Sequence, residues 1–121
     1  MHIAFLLALT TGMRQSEILA VRWKDIDFEN GVLHVHQTLS HDGKHIYQDT
    51  KTKSSTRTIT LFEKTLDSLK EHRKKVKKQK LSAGSSYHDN NLVICTQHGT
   101  PINPRNLLRT FYKLMKKADV P

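Results

Sequence analysis

The clearest chemical opportunity in the sequence is Arg14, within Thr11-Gly12-Met13-Arg14-Gln15-Ser16-Glu17-Ile18. Gly12 suits the left-handed position that follows a helix end, and Ser16 to Val21 reads as a short second helix. Arg14 therefore falls in the tight turn between two helices. An arginine held by such a turn is aimed by backbone and can offer its planar fork to a phosphate in two-point contact. Glu17, one turn into the second helix, can hold the region together through hydrogen bonds or ion pairing. The plainer reading makes Arg14 a surface charge and Glu17 a helix-start carboxylate favoured by the dipole. Taken singly, these residues favour the plainer reading.

The elements that must position this turn are legible in outline. His2 to Leu9 is apolar almost all round and is expected to form a buried helix, stopped at Thr10-Thr11-Gly12. It starts with no residues ahead of it to cap it, so the chain is expected to be part of something longer. From Asp25 the periodicity changes. Asn30-Gly31 and Asp42-Gly43 are strong tight-turn dipeptides. Between them Leu33, Val35 and Leu39 alternate with His34, His36 and Thr38. Lys44 to Asp49 should pair back, and Arg57 to Leu61 alternates again, which predicts a three-stranded antiparallel meander with one face free. Phe62, Leu66, Leu69 and Val76 then keep helical spacing to about Lys80, followed by a loop over Leu81 to Asn91. Leu92 to Cys95 is a short buried extended segment. Asn103 should cap a last helix with Pro104 in its first position. That helix has an apolar stripe (Leu107, Leu108, Phe111, Met115, Ala118) and a basic side (Arg105, Arg109, Lys113, Lys116, Lys117). The fold class is thus α+β, mainly helical with a small three-stranded antiparallel sheet.

Composition narrows the partners. The chain has 121 residues, enough for one domain. Its 20 Lys and Arg outnumber 11 Asp and Glu, a net charge of +9. That excess favours a polyanion, because each cation that neutralises a phosphate releases a condensed counterion. Lys70 to Lys80 concentrates it, as a solvated helix face in the plainer reading and a DNA-backbone stripe in the other. Cys95 is the only cysteine, so an internal disulfide and a cysteine-based metal site are both excluded, in keeping with a reducing cytosol. The run Ile3 to Leu9 is too short to span a bilayer and lacks the flanks of a signal peptide. No membrane role is expected.

Two segments together resemble the tyrosine recombinase (phage integrase) family. Thr11 to Ile18, continued by Trp23-Lys24-Asp25-Ile26-Asp27, resembles the first active-site box of that family. The resemblance implies that Arg14 contacts the scissile phosphate and that Glu17 supports the site. Asp49-Thr50-Lys51-Thr52-Lys53-Ser54-Ser55-Thr56-Arg57-Thr58-Ile59-Thr60-Leu61 resembles the β-hairpin that carries the family's active-site lysine. On that match Lys51 is the lysine, with Lys53 a rival. Its role would be to protonate the departing 5′ oxygen, which requires reach and a suitable pKa. Lys53, Arg57, Arg22 and Lys44 are expected to contact DNA.

The resemblance also marks what the chain lacks. The family's second box supplies a His-x-x-Arg pair and then the tyrosine nucleophile. None of the eight histidines has arginine three positions later. Tyr47, Tyr87 and Tyr112 all precede the place where that box should fall, so the chain is expected to hold no nucleophile. Residues 1–121 are read as a partial catalytic domain, inactive alone, whose Phe5 and Phe111 helices lack their natural cover and promote self-association. Double-stranded DNA is the implied partner, with further recombinase protomers, a tetramer, in the parent. The implied location is the cytoplasm of a bacterial host, at the nucleoid. The family chemistry implies no cofactor and no metal, and His34, His36, His41 and His45 are read as surface histidines. The competing reading is a non-catalytic nucleic-acid-binding module; a structural or protein-interaction domain is a third.

Overall fold

A computed structural model describes residues 2–40, 42–48 and 56–117. Lys51 and Lys53 lie outside the described residues. The α+β architecture is as expected: helices α1 (His2–Thr11), α2 (Gln15–Ile18), α3 (Glu63–Ala83) and α4 (Pro104–Lys117) surround short strands β1 (Ile26–Asp27), β2 (Val32–Val35), β3 (Gln37–Leu39), β4 (Ile46–Gln48) and β5 (Arg57–Thr60). The core gathers Leu7, Ile18, Leu19, Leu33, Leu69 and Val93, each essentially without solvent exposure.

Helix α1 ends where its own threonines bond backwards. The Thr10 and Thr11 hydroxyls donate to the carbonyls of Leu6 and Leu7 at 2.7 and 2.6 Å. Gly12 then takes a left-handed φ of 68°, a conformation a side chain would strain. The expected all-round burial of α1 is not observed. Ile3, Ala4 and Leu7 are buried but Leu9 is 84% exposed, because the elements packed on α1 cover one side of it. Phe5 meets Phe111 of α4, with ring centroids 5.3 Å apart. Helix α2 is also shorter than the run Ser16 to Val21 suggests. Val93 N–H donates to the Val21 carbonyl and Trp23 N–H to that of Asn91, both at 3.0 Å, so the chain is drawn into a strand-like exchange instead.

The sheet departs from a simple meander. Strands order as β1-β2-β5, while β3 and β4 form a separate two-stranded hairpin. β5 returns to β2, with Leu33 opposite Ile59 and Val35 opposite Arg57. The physical reason lies at His36, which belongs to neither ladder and whose ring bonds Asp25 at 2.7 Å. That break splits Val32 to Leu39 in two, so its first half is free to accept β5 and its second half pairs with β4. Burial changes accordingly: Leu33 and Val35 are buried in β2, then both Thr38 and Leu39 in β3.

Helix α3 packs Thr65, Leu69 and Val76 inward. His72 donates from Nε2–H to the Val93 carbonyl, 2.6 Å away, and its ring lies 6.0 Å from Trp23. Burial holds the His72 pKa below its ordinary 6.5, although the carbonyl contact partly opposes it. The expected loop after Lys80 begins later, because α3 runs on to Ala83. At α4 the predicted cap is present: Asn103 Oδ1 accepts from Arg105 N–H at 2.9 Å.

Candidate functional site

Glu17 is the fixed point of the site. It sits in the single turn of α2 and its side chain is 2% exposed. A carboxylate so buried needs partners, and three N–H groups supply them. Arg57 of β5 donates from Nη1 to Oε2 at 2.9 Å and from Nη2 to Oε1 at 3.1 Å, a two-point pair across 40 positions of sequence. The backbone N–H of Arg14 donates to Oε1 at 2.9 Å. Burial alone would raise the Glu17 pKa, but the Arg57 hydrogen bonds, the Arg14 N–H and the two guanidinium charges bring it below the ordinary 4.5.

The same contacts aim Arg14. Its backbone is extended (φ −69°, ψ 151°). Its N–H is held by Glu17, and its carbonyl accepts from the N–H groups of Glu17 and Ile18, both at 3.0 Å. Both ends of the residue are therefore fixed while the side chain is exposed. Next to it, Gln15 Nε2 donates to the Pro104 carbonyl at 2.8 Å, tying this turn to the start of α4. The β3–β4 hairpin reaches the same place, since a Cβ on Gly43 would lie 3.3 Å from Asn103 Cα. Exposed Lys44 follows Gly43, its N–H donating to Asp42 Oδ1 at 3.0 Å.

Three of the sequence-predicted residues are thereby brought together: Arg14, Glu17 and Arg57 form one hydrogen-bonded unit. Lys44 lies on the hairpin whose Gly43 packs on Asn103, just before α4. Arg22 is placed differently: its half-buried guanidinium donates to Gln37 Oε1 at 3.1 Å, and its N–H donates to Asp25 Oδ2 at 3.0 Å. Sequence reasoning missed Gln15 as the link to α4 and Asp25 as the acceptor for both Arg22 and His36. The exposed arginines of α4, Arg105 and Arg109, extend the basic surface. Such a surface, with one arginine held rigidly at its back and another presented forward, is suited to a phosphate or other oxyanion.

Among the described residues no group of three or more His, Cys, Asp or Glu side chains is placed to hold a metal ion. His34 bonds the Thr58 hydroxyl at 3.1 Å and His36 bonds Asp25, so the pair serves two different partners. Tyr87 reaches Cys95 Sγ at 3.7 Å, and its phenol is pushed up to about 12, chiefly by burial. No described helix is long and apolar enough to cross a membrane.

The sequence profile of the phage integrase family matches residues 1–121. The chain belongs to the phage integrase family. The chain is 38% identical over 130 residues to a XerC-like tyrosine recombinase of Caldanaerobacter subterraneus subsp. tengcongensis, covering 97% of this chain and 33% of that protein. It is 27% identical over 128 residues to an integrase of Streptomyces ambofaciens, covering 98% of this chain and 32% of the other. Among solved structures it resembles the Tn1549 transposon integrase in complex with transposon right end DNA. That match has a TM-score of 0.78 at 25% identity and covers 98% of this chain and 38% of the other. The chain thus spans about a third of the length of these relatives, and the match includes both the Arg14 turn and the sheet that braces it.

Proposed function

We propose that this chain is the first part of a tyrosine recombinase catalytic domain, which in its full-length parent cuts and rejoins double-stranded DNA for integration or site-specific recombination. The observation that carries this reading is the Glu17 clamp, which fixes Arg14 by its backbone and leaves its guanidinium facing solvent on a basic surface. In the proposed reaction a tyrosine supplied outside residues 1–121 attacks the phosphorus. A phosphotyrosyl bond forms, the bond to the 5′ oxygen breaks, and Lys51 (or its rival Lys53) delivers the proton to that oxygen. Arg14 stabilises the charge that builds on the phosphate oxygens. Arg57 serves by holding Glu17, Lys44 and Lys53 lend contacts to the DNA backbone, and Arg22, whose guanidinium is bonded to Gln37, braces β3 instead. Without the nucleophile and the His-x-x-Arg pair the chain alone forms no covalent link. The phosphotyrosyl bond conserves the energy of the phosphodiester, so neither a nucleotide nor a metal cofactor is called for. The DNA-complexed structural neighbour and the net charge of +9 support action on DNA, and the lone cysteine fits a bacterial cytoplasm. Further protomers on the same DNA are part of the proposal.

The test is Arg14→Ala in the full-length parent. Strand cleavage should fall by about 10²–10³, with duplex affinity nearly retained because it is spread over many cations. If affinity collapses while cleavage per bound complex is unchanged, the chain is a binding module and the catalytic assignment fails.

A further inference from the structure

We propose that the outward face of α3 is a second contact for duplex DNA, carried by Lys70, Lys74, Lys77 and Lys78. The inference rests on DNA being the partner of this chain but not on the role of Arg14. Spacings of four, three and one residue put these lysines on one face, opposite the buried Thr65, Leu69 and Val76. All four are exposed. They span about 12 Å of helix axis at ~1.5 Å per residue, comparable to three or four phosphates at ~3.4 Å of axial rise along one strand. The ≈920 Å³ groove beside them has Lys74, Lys75, Lys77 and Lys78 in its lining against two carboxylates, Asp67 and Glu71. Neither Arg14, Glu17 nor Arg57 belongs to that lining, so the surface is distinct from the clamped turn.

The charge pattern is what singles out this face. A solvated helix usually pairs opposite charges four residues apart, and like pairs cost about 0.2–0.5 kcal/mol each. Here Lys70 and Lys74, Arg73 and Lys77, and Lys74 and Lys78 are like pairs. The helix dipole favours cations in the last turn, which accounts for Lys80 but not for Lys70 and Lys74 in mid-helix. From Arg73 to His88 the chain contains no acidic residue. Among the described residues the only salt bridge to these four is Lys74 with Glu71 at 3.2 Å, on the surface, where such pairs contribute little. The stripe is also rigidly mounted. Arg73 lies over the rings of Trp23 and Phe28 at 5.5 and 5.9 Å, and His72 bonds Val93, so α3 is fixed to the body just where the lysines project. A fixed line of solvated ammonium groups, of which Lys74 alone has a salt-bridge partner among the described residues, matches a phosphodiester backbone, whose counterions it would displace.

The experiment is a salt titration of duplex affinity for this chain and its K70Q/K74Q/K77Q/K78Q variant, with helix content followed by circular dichroism. The proposal expects unchanged or higher helicity and affinity at least about tenfold weaker at low salt. It also expects a log-affinity against log-salt slope shallower by about 3, from ~0.9 per phosphate contact. Equal affinity and slope in the two proteins would overturn it, as would tighter binding of the chain to polyglutamate than to duplex, which would assign the face to an acidic protein. Loss of helicity in the variant is met by charge reversal of Lys77 and Lys78 alone, where an unchanged slope again overturns the proposal. These failures leave the catalytic reading intact, because that reading is judged by cleavage in Arg14→Ala.

Discussion

The turn at Glu17 and the outer face of α3 use long basic side chains in opposite ways. At Glu17 one buried carboxylate takes two bonds from the partly exposed Arg57 and one from the Arg14 backbone, so geometry is set by a single buried acceptor. On α3 the lysines are solvated, repeated and interchangeable. The contrast separates two tasks that a phosphate-handling protein must perform. Directing one guanidinium at one atom requires a fixed backbone, whereas holding a polymer requires only density of charge. Damage should therefore be concentrated at the first region and diluted over the second.

Glu17→Ala is the largest expected break in that contrast. It removes the two Glu17 bonds of Arg57 and frees the Arg14 turn, and should cost about 2–3 kcal/mol, measured by urea unfolding with Trp23, the single tryptophan, as fluorescent probe. A cost under about 0.5 kcal/mol would mean that the clamp is ornamental.

Acid should sharpen the same point. The folded Glu17 pKa lies below the unfolded value near 4.5, so the unfolded chain binds the proton more readily. Its contribution is complete above that value and is lost as pH falls through the folded pKa. Glu17→Gln should flatten this part of the stability profile. His72, also depressed, acts with the same sign in a higher window: stability declines as pH falls below about 6.5 and through the folded value. An imidazole titration by NMR that places His72 above 6.5 would contradict the dominance of burial at this ring. Smaller again is Arg73→Ala, which removes the contacts over Trp23 and Phe28 and should cost about 0.5–1 kcal/mol while shifting Trp23 emission. Smallest is a single change such as Lys78→Ala, expected to move stability by less than about 0.5 kcal/mol; a larger loss would place Lys78 in the structural framework.

Much of this was open to reading because it is local. Gly12 ending α1, Asn103 and Pro104 starting α4, and the inward pair Leu33 and Val35 all follow from residues within a few positions of one another. Arg14 and Glu17 were identified by motif, and the short distance between them makes their shared turn a local feature too. What escaped was set at long range. Arg57 finds Glu17 across 40 positions, and nothing in either segment names the other. The return of β5 to β2 depends on His36 leaving the ladder for Asp25, a contact between a strand break and a preceding turn. Likewise, the apolar run of α1 cannot reveal that Leu9 faces outward, since coverage is decided by the neighbours.

The most direct measurement is a structure of this chain bound to a DNA duplex carrying the recognition site of its parent. The account predicts that the Arg14 guanidinium and the Lys51 ammonium both touch one phosphodiester, with Arg57 still paired to Glu17. Arg14 turned away from the duplex, or Arg57 released from Glu17 to take the phosphate in its place, would contradict it.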